Sequence, residues 1–223
     1  MIDTLLGNLA PHYCCGCGRI GSILCDSCKD DIVYEPFGLC AACVSRPVKT
    51  TGLCGHCRPP YRRAWVCGVH EGVLDSAIDR FKFGPAREAA KPLVNVIASI
   101  LPQLPGNSIF VPIPTITKHI RERGFGHMEL LVRLLANRCG RPYDASLLCR
   151  RTQTVQRGAT AKDRQMQAKG AFCVMGEVNK DAVYILVDDV MTTGATLQHS
   201  ARVLKEAGAT EVWIVVLARQ IFS

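Results

Sequence analysis

Apolar and polar positions follow one rhythm from residue 64 onward and another before it. In the later part, short unbroken apolar runs alternate with stretches where apolar residues return every three or four positions. Residues 183–187 and 212–217 are continuous apolar runs of strand length, the pattern of strands buried on both faces of a parallel sheet. Between them Leu197, Ala201 and Leu204 recur at helical spacing, and Gly208 is a helix stop. The whole predicts one β-loop-α-β unit. Upstream, 64–69 predicts a strand and 74–81 a helix. Residues 86–101 predict a second helix, with Pro92 marking a start or a kink. Residues 109–111 predict a short strand and 128–138 an amphipathic helix through Leu130, Leu131, Leu134 and Leu135. Residues 150–164, with four arginines, one lysine and few apolar positions, read as a mobile basic loop. Residues 171–175 read as an edge strand. Strands alternating with helices predict an α/β fold, a mostly parallel sheet covered by helices on both faces. Ligands of such sheets sit at the carboxyl ends of the strands.

Residues 1–62 lack that rhythm, and cysteines provide the order instead. Cys14 and Cys17, Cys25 and Cys28, Cys40 and Cys43, and Cys54 and Cys57 form four CxxC knuckles in a row. Two sulfurs so spaced on a tight turn reach one tetrahedral zinc, and two turns complete a closed site of four thiolates. Sequential pairing puts Cys14, Cys17, Cys25 and Cys28 on one zinc and Cys40, Cys43, Cys54 and Cys57 on a second. The short intervals leave crossed pairing, or a single occupied site, open. A segment this small has little core, so metal would supply its folding energy. Cys15, Cys67, Cys139, Cys149 and Cys173 fall outside the pattern and read as small core residues. The division expected is a double zinc-ribbon module, 1–62, followed by the α/β domain, 63–223, after an Arg- and Pro-containing linker.

Composition narrows the setting. No apolar run reaches the roughly 18 residues of a membrane span, so no membrane insertion is expected. The first residues, MIDTLLGNLAPHYCC, lack the basic and long apolar regions of a secretory signal, so a cytoplasmic location is expected. There 13 cysteines would stay reduced and favour metal over disulfides. The net charge of +8 suits an anionic ligand or a nucleic acid without choosing between them.

The chemistry concentrates after residue 187. Asp188 and Asp189 follow the buried run, and a turn of small and hydroxyl residues follows them: Thr192, Thr193, Gly194, Ala195 and Thr196. A tight turn at a helix start gathers backbone N–H groups in one concavity, where the helix dipole adds positive potential. Gly194 lets the backbone approach a phosphate, and the threonine hydroxyls add donors. The absence of a GxxxxGK[ST] lysine argues against a triphosphate P-loop. The adjacent acids can accept from ribose hydroxyls or hold magnesium. Phosphate donors beside diol acceptors describe a ribose 5-phosphate.

VDDVMTTGAT resembles the phosphoribosyl diphosphate (PRPP) signature of type I phosphoribosyltransferases. The cysteine knuckles, FKFG, VPIP…RERGFGH, Q…R…AF and VDDVMTTGAT together resemble the ComF/GntX family almost end to end. Its members are amidophosphoribosyltransferase-like proteins, some associated with natural transformation. The resemblance implies a type I phosphoribosyltransferase-like sheet, with Thr192 to Thr196 cradling the 5-phosphate. It implies Asp188 and Asp189 as the catalytic acid pair, meeting the ribose 2- and 3-hydroxyls. It implies that Val111 and Pro112 open the diphosphate loop, with Lys82, Arg121 and Arg123 near the anionic end. It also implies that Gln156 and Arg164 belong to a loop closing over the ligand. The family usually has asparagine where this chain has Gly126, and often where it has Gln167. His127 and Gln167 are the residues available to replace those amides.

Two functions follow. One is a PRPP-binding protein of natural transformation, with single-stranded DNA and other competence proteins as partners. The other is an active phosphoribosyltransferase of nucleotide metabolism, using PRPP with magnesium on an unnamed acceptor. No stretch after the 212–217 strand reads as a hood over an acceptor base, so the cysteine module would have to serve. Aromatics make up 6% of residues, which weakens a stacking platform for single strands.

Overall fold

The computed structural model describes residues 12–34, 37–48, 51–83, 87–115, 126–150 and 172–221. Its elements in chain order are α1 (Asp26–Tyr34), β1 (Arg63–Val69), α2 (Gly72–Phe83), α3 (Arg87–Ile100), β2 (Ser108–Pro112), α4 (His127–Cys139), β3 (Leu148–Arg150), β4 (Phe172–Val174), β5 (Val183–Met191), α5 (Ala195–Glu206) and β6 (Glu211–Arg219). Strands β1, β6, β5 and β2 form one sheet in that order, and every pair is parallel. Strands β3 and β4 form a separate antiparallel pair.

The continuous apolar strands are explained by the cores they separate. Along β6, Trp213, Val215 and Leu217 enter one core while Val212, Ile214 and Val216 enter the other. The first core also holds Ile78 and Phe81 of α2, Leu93 and Ile97 of α3, and Leu131 and Leu135 of α4. The second holds Leu197, Ala201 and Leu204 of α5 with Leu148 and Phe172 of the small pair. The pleat alternates side chains between faces, so a strand apolar at every position needs cover on both.

The cysteine segment is built onto this sheet. Cys14, Ile23, Leu24 and Cys28 are buried in the first core, whereas Ala41 and Tyr61 are buried in the second. Between them the segment covers the outer edge of β1. The Ala64 N–H donates to Thr51 O at 2.9 Å, and the Ala41 N–H donates to Gly52 O at 2.9 Å. Gly52 has φ +66°, and a Cβ there would strike the Ala64 carbonyl, so only glycine lets the segment lie this close. Pairing the edge in this way removes a site for unwanted strand addition.

Several elements differ from the sequence reading. Strand β5 continues to Met191 rather than ending at Val187, because pairing with β6 runs through Asp188↔Val216 and Val190↔Ala218. Helix α3 runs through Pro92, since Leu93, Val94, Val96 and Ile97 are all buried and offset the lost backbone hydrogen bond. Helix α1 and strand β3 were not signalled by periodicity. Cys149 and Cys173 are not reduced core thiols. They face each other across β3 and β4 with Cα atoms 5.3 Å apart and form a disulfide. Their separation of 24 residues hides that register in the sequence. Cys67 is fully buried, and burial pushes its thiol well above the ordinary range.

Candidate anion-binding turn and cysteine tetrads

Strand β5 carries its acids into the sheet's carboxyl edge. Asp189 is buried, 9% exposed, and three elements converge on it. Lys82, near the end of α2, places Nζ 3.0 Å from Asp189 Oδ1. His127, the first residue of α4, places Nε2 3.0 Å from Asp189 Oδ2 and sets its ring edge-on to Phe81. The Val190 N–H donates to Asp189 Oδ1 at 2.7 Å. Asp188 lies on the intervening pleat and accepts from the Asp189 N–H at 3.0 Å.

The acids titrate in opposite directions. Burial, then the charge of Asp189, holds the Asp188 carboxyl well above the usual carboxylate range. Burial also opposes ionisation of Asp189, but the hydrogen bond from His127 and the charge of Lys82 outweigh it and hold this carboxyl below that range. One acid is therefore neutralised internally, and the other is a half-buried group that a cation or a set of hydroxyl donors would stabilise as a carboxylate.

The chain turns sharply after Met191. Gly194 has φ 78° and ψ 2°, and α5 begins at the next residue. The positive φ of Gly194 is one that residues with a Cβ rarely adopt, and a Cβ there would also meet Met191 Cε, so the turn favours glycine. The side chains of Thr192, Thr193, Ala195 and Thr196 are exposed around it. Thr193 Oγ1 accepts from the Ala195 N–H at 3.3 Å. The turn thus presents the start of a 12-residue helix to solvent, with its N–H groups and positive dipole end. Val111 and Pro112 pair with Leu186 and Val187 on the neighbouring strand, so the diphosphate-loop candidates end beside the acids. Arg121, Arg123, Gln156, Arg164 and Gln167 lie outside the described residues. A cavity of about 400 Å³, lined by Phe37, Leu39, Val48 and Trp65 among others, lies elsewhere, against β1 and two strands from β5.

The cysteines gather as two tetrads. The sulfurs of Cys14, Cys17, Cys25 and Cys28 lie within 4.8 Å of one another, and so do those of Cys40, Cys43, Cys54 and Cys57. The grouping is sequential. The Cys25 N–H points to Cys14 Sγ at 3.4 Å and the Cys54 N–H to Cys40 Sγ at 3.3 Å. Burial raises Cys14, but N–H groups of Cys25, Cys17 and Gly16 outweigh it and bring the thiol down to about 6. Those of His56 and Cys57 bring Cys54 down to about 6. Burial pushes Cys28 up to about 12, and hydrogen bonding to Cys54 pushes Cys57 up to about 12. A hydrogen bond from the Ser45 N–H lowers Cys43 as well, so each tetrad holds thiols that ionise readily beside one that resists, as converging thiolates do until a cation joins them. Donor type, number and spacing all fit zinc.

Arg219 was missed by sequence reasoning. It is 5% exposed and ends β6 directly after the apolar run 212–218. Its Nε donates to Ala41 O at 3.0 Å, and its Nη1 donates to Met191 O and Gln220 O, each at 2.9 Å. A single arginine closing the run VWIVVLAR was the available signal.

Comparison with known proteins agrees with this geometry. The phosphoribosyl transferase domain model matches residues 149–221, the stretch containing β5, the turn and α5. Competence protein F of Haemophilus influenzae is 28% identical, over 87% of this chain and 96% of that protein. The chain is ComF-like. DNA utilization protein YhgH of Escherichia coli K12 is 28% identical, over 89% of this ComF-like chain and 97% of that protein. Competence protein ComFC of Bacillus subtilis is 26% identical, over 83% and 79%. Among the described residues, no helix is long and apolar enough to cross a membrane.

Proposed function

We propose that this chain binds PRPP at the carboxyl edge of β5 and acts in the handling of single-stranded DNA during natural transformation. The observation that carries the PRPP reading is the order strand, acid pair, left-handed Gly194 turn and helix start, on a parallel sheet with β2 alongside. The turn offers backbone N–H groups, hydroxyls and a helix dipole to the 5-phosphate. Asp188 accepts from the ribose hydroxyls, while Asp189 holds Lys82 and His127 at the rim. Arg121, Arg123 and Arg164 supply further cations to the diphosphate. Magnesium fits Asp188, a half-buried acid at the strand end, and would neutralise the diphosphate oxygens when bound. Zinc fits both tetrads and would supply folding energy to residues 1–62, the module preceding the 63–223 domain. The process is supported by the names of the relatives, competence protein F and DNA utilization protein YhgH.

Calorimetric titration with magnesium and PRPP tests the ligand. The wild type should bind, and Asp188→Asn should lose about tenfold or more, the effect of one hydrogen bond to a charged group. Single-stranded DNA, titrated in parallel, should bind both proteins equally. Equal PRPP affinity in wild type and Asp188→Asn would sink the assignment. Release of diphosphate with a nucleobase acceptor would instead identify an active transferase.

A further inference from the structure

We propose that Arg219 is a positioning residue that makes the shape of the Met191–Gly194 turn depend on metal in the second cysteine tetrad. The proposal rests on reading that turn as the anion site. The guanidinium is buried and holds three backbone carbonyls. One, Ala41 O, belongs to the residue after Cys40, inside the third knuckle. Another, Met191 O, closes β5 immediately before Thr192. A single planar group therefore spans from a candidate metal ligand's neighbour to the first residue of the turn. The fork of Arg suits this, because its donors leave in fixed directions and a shift at one carbonyl is passed to the other.

Charge gives the connection its dependence on metal. Among the described residues no carboxylate pairs with Arg219. Burial lowers its pKa, and the nearby Cys40 sulfur opposes this when ionised, whereas burial keeps the Tyr61 phenol neutral. A buried cation held only by neutral carbonyls is costly unless an anion lies near. Four thiolates around one divalent cation carry a net negative charge, and Cys40 belongs to that set. Tyr61 completes the cluster. Its hydroxyl is buried without a hydrogen-bond partner, and the same Cys40 and Arg219 act on it. Loading the second tetrad would fix the Cys40–Cys43 knuckle and the Ala41 carbonyl, and would supply the counter-charge that keeps Arg219 seated on Met191. The first tetrad reaches the sheet through other residues, so its loss should leave the turn alone.

Site-resolved hydrogen exchange on the full chain tests this, with zinc content measured on every sample. Cys54→Ser should speed exchange of the Gln198 and Gln220 amides, which donate to Gly194 O and Met191 O, by about tenfold, the loss of a hydrogen bond to a charged group. Cys25→Ser should change them less than about twofold. Arg219→Met should match Cys54→Ser while keeping both zincs. Adding Cys54→Ser to Arg219→Met should then produce no further change. That non-additivity separates coupling from general loosening. If Cys54→Ser fails to fold by circular dichroism, graded chelation of wild type and Arg219→Met replaces it, exchange being read at each zinc content. If Arg219→Met fails to fold, Arg219→Lys takes its place. Unchanged exchange at Gln198 and Gln220 in the folded Arg219 variant overturns the proposal, as does an equal response to loss of either tetrad. Inorganic phosphate and magnesium PRPP are titrated into the same samples. If wild type binds neither, the anion-site reading fails, while the exchange comparison still decides the coupling.

Discussion

The first cysteine tetrad meets the sheet through apolar side chains, with Ile23 and Leu24, 2% and 3% exposed, entering the core beneath α2 and α3. The second also buries Ala41 and Tyr61 but adds directed backbone contacts, with Thr51 and Ala64 paired along the edge of β1 and Ala41 held by Arg219. Ligand chemistry is the same in both. The difference teaches that a structural metal's reach depends on what its knuckles are bonded to. An apolar plug transmits stability and little geometry. A directed hydrogen bond to a buried cation transmits position.

Removing metal from both tetrads should have the largest effect. Structural zinc in small modules is worth about 10–16 kcal/mol, comparable to the whole stability of a domain. Chelation should therefore expose residues 12–57 to proteolysis before the rest of the chain. An unchanged cleavage pattern after measured zinc loss would show that the segment is held by its packing alone.

Ile23→Ala sharpens the comparison from the first tetrad's side. Truncating a buried isoleucine costs about 2–5 kcal/mol. Denaturant unfolding should show that loss, while PRPP affinity of the folded variant stays within about twofold. A fall in affinity as large as the one expected for Asp188→Asn would erase the distinction between apolar and directed contacts.

Gly194→Ala probes the other end of the connection. A left-handed conformation imposed on alanine costs about 1–3 kcal/mol, and its Cβ must also displace Met191. Thermal melting should fall accordingly, and PRPP binding should fall at least tenfold because the N–H groups are re-aimed. Full binding in this variant would place the phosphate elsewhere.

The smallest effect is a pH slope. Asp188 has its carboxyl raised in the folded state, so the folded protein binds its proton more tightly than the unfolded chain does. Stability should therefore fall as pH rises above about 4, the unfolded value. Asp189 is lowered, and its contribution is present above that value and lost as pH falls below it. Asp188→Asn should remove the decline above pH 4 and keep the loss at lower pH. Parallel melting curves between pH 4 and 7 for wild type and variant would contradict the burial of Asp188.

The sequence by itself determined the elements whose side chains face two cores. Residues 183–187 and 212–217 are apolar throughout because cover on both faces leaves no polar position, and the helices between carry their own period. It offered sequential pairing of the cysteine knuckles as the simplest grouping and left crossed pairing open, and the structure brings the sequential sets together. The Gly194 turn was legible because glycine, hydroxyls and a helical run must occur in that order. What only the tertiary structure decided were contacts between residues far apart in the chain. Lys82 and His127 meet on Asp189 because α2 and α4 share one face of the sheet. Cys149 meets Cys173 through the register of β3 and β4. Arg219 reaches Ala41 across a separation of 178 residues because β6 lies beside β1, whose edge the cysteine segment covers. Local patterns record which face of an element is buried, and they carry no information about which distant group the buried face will meet.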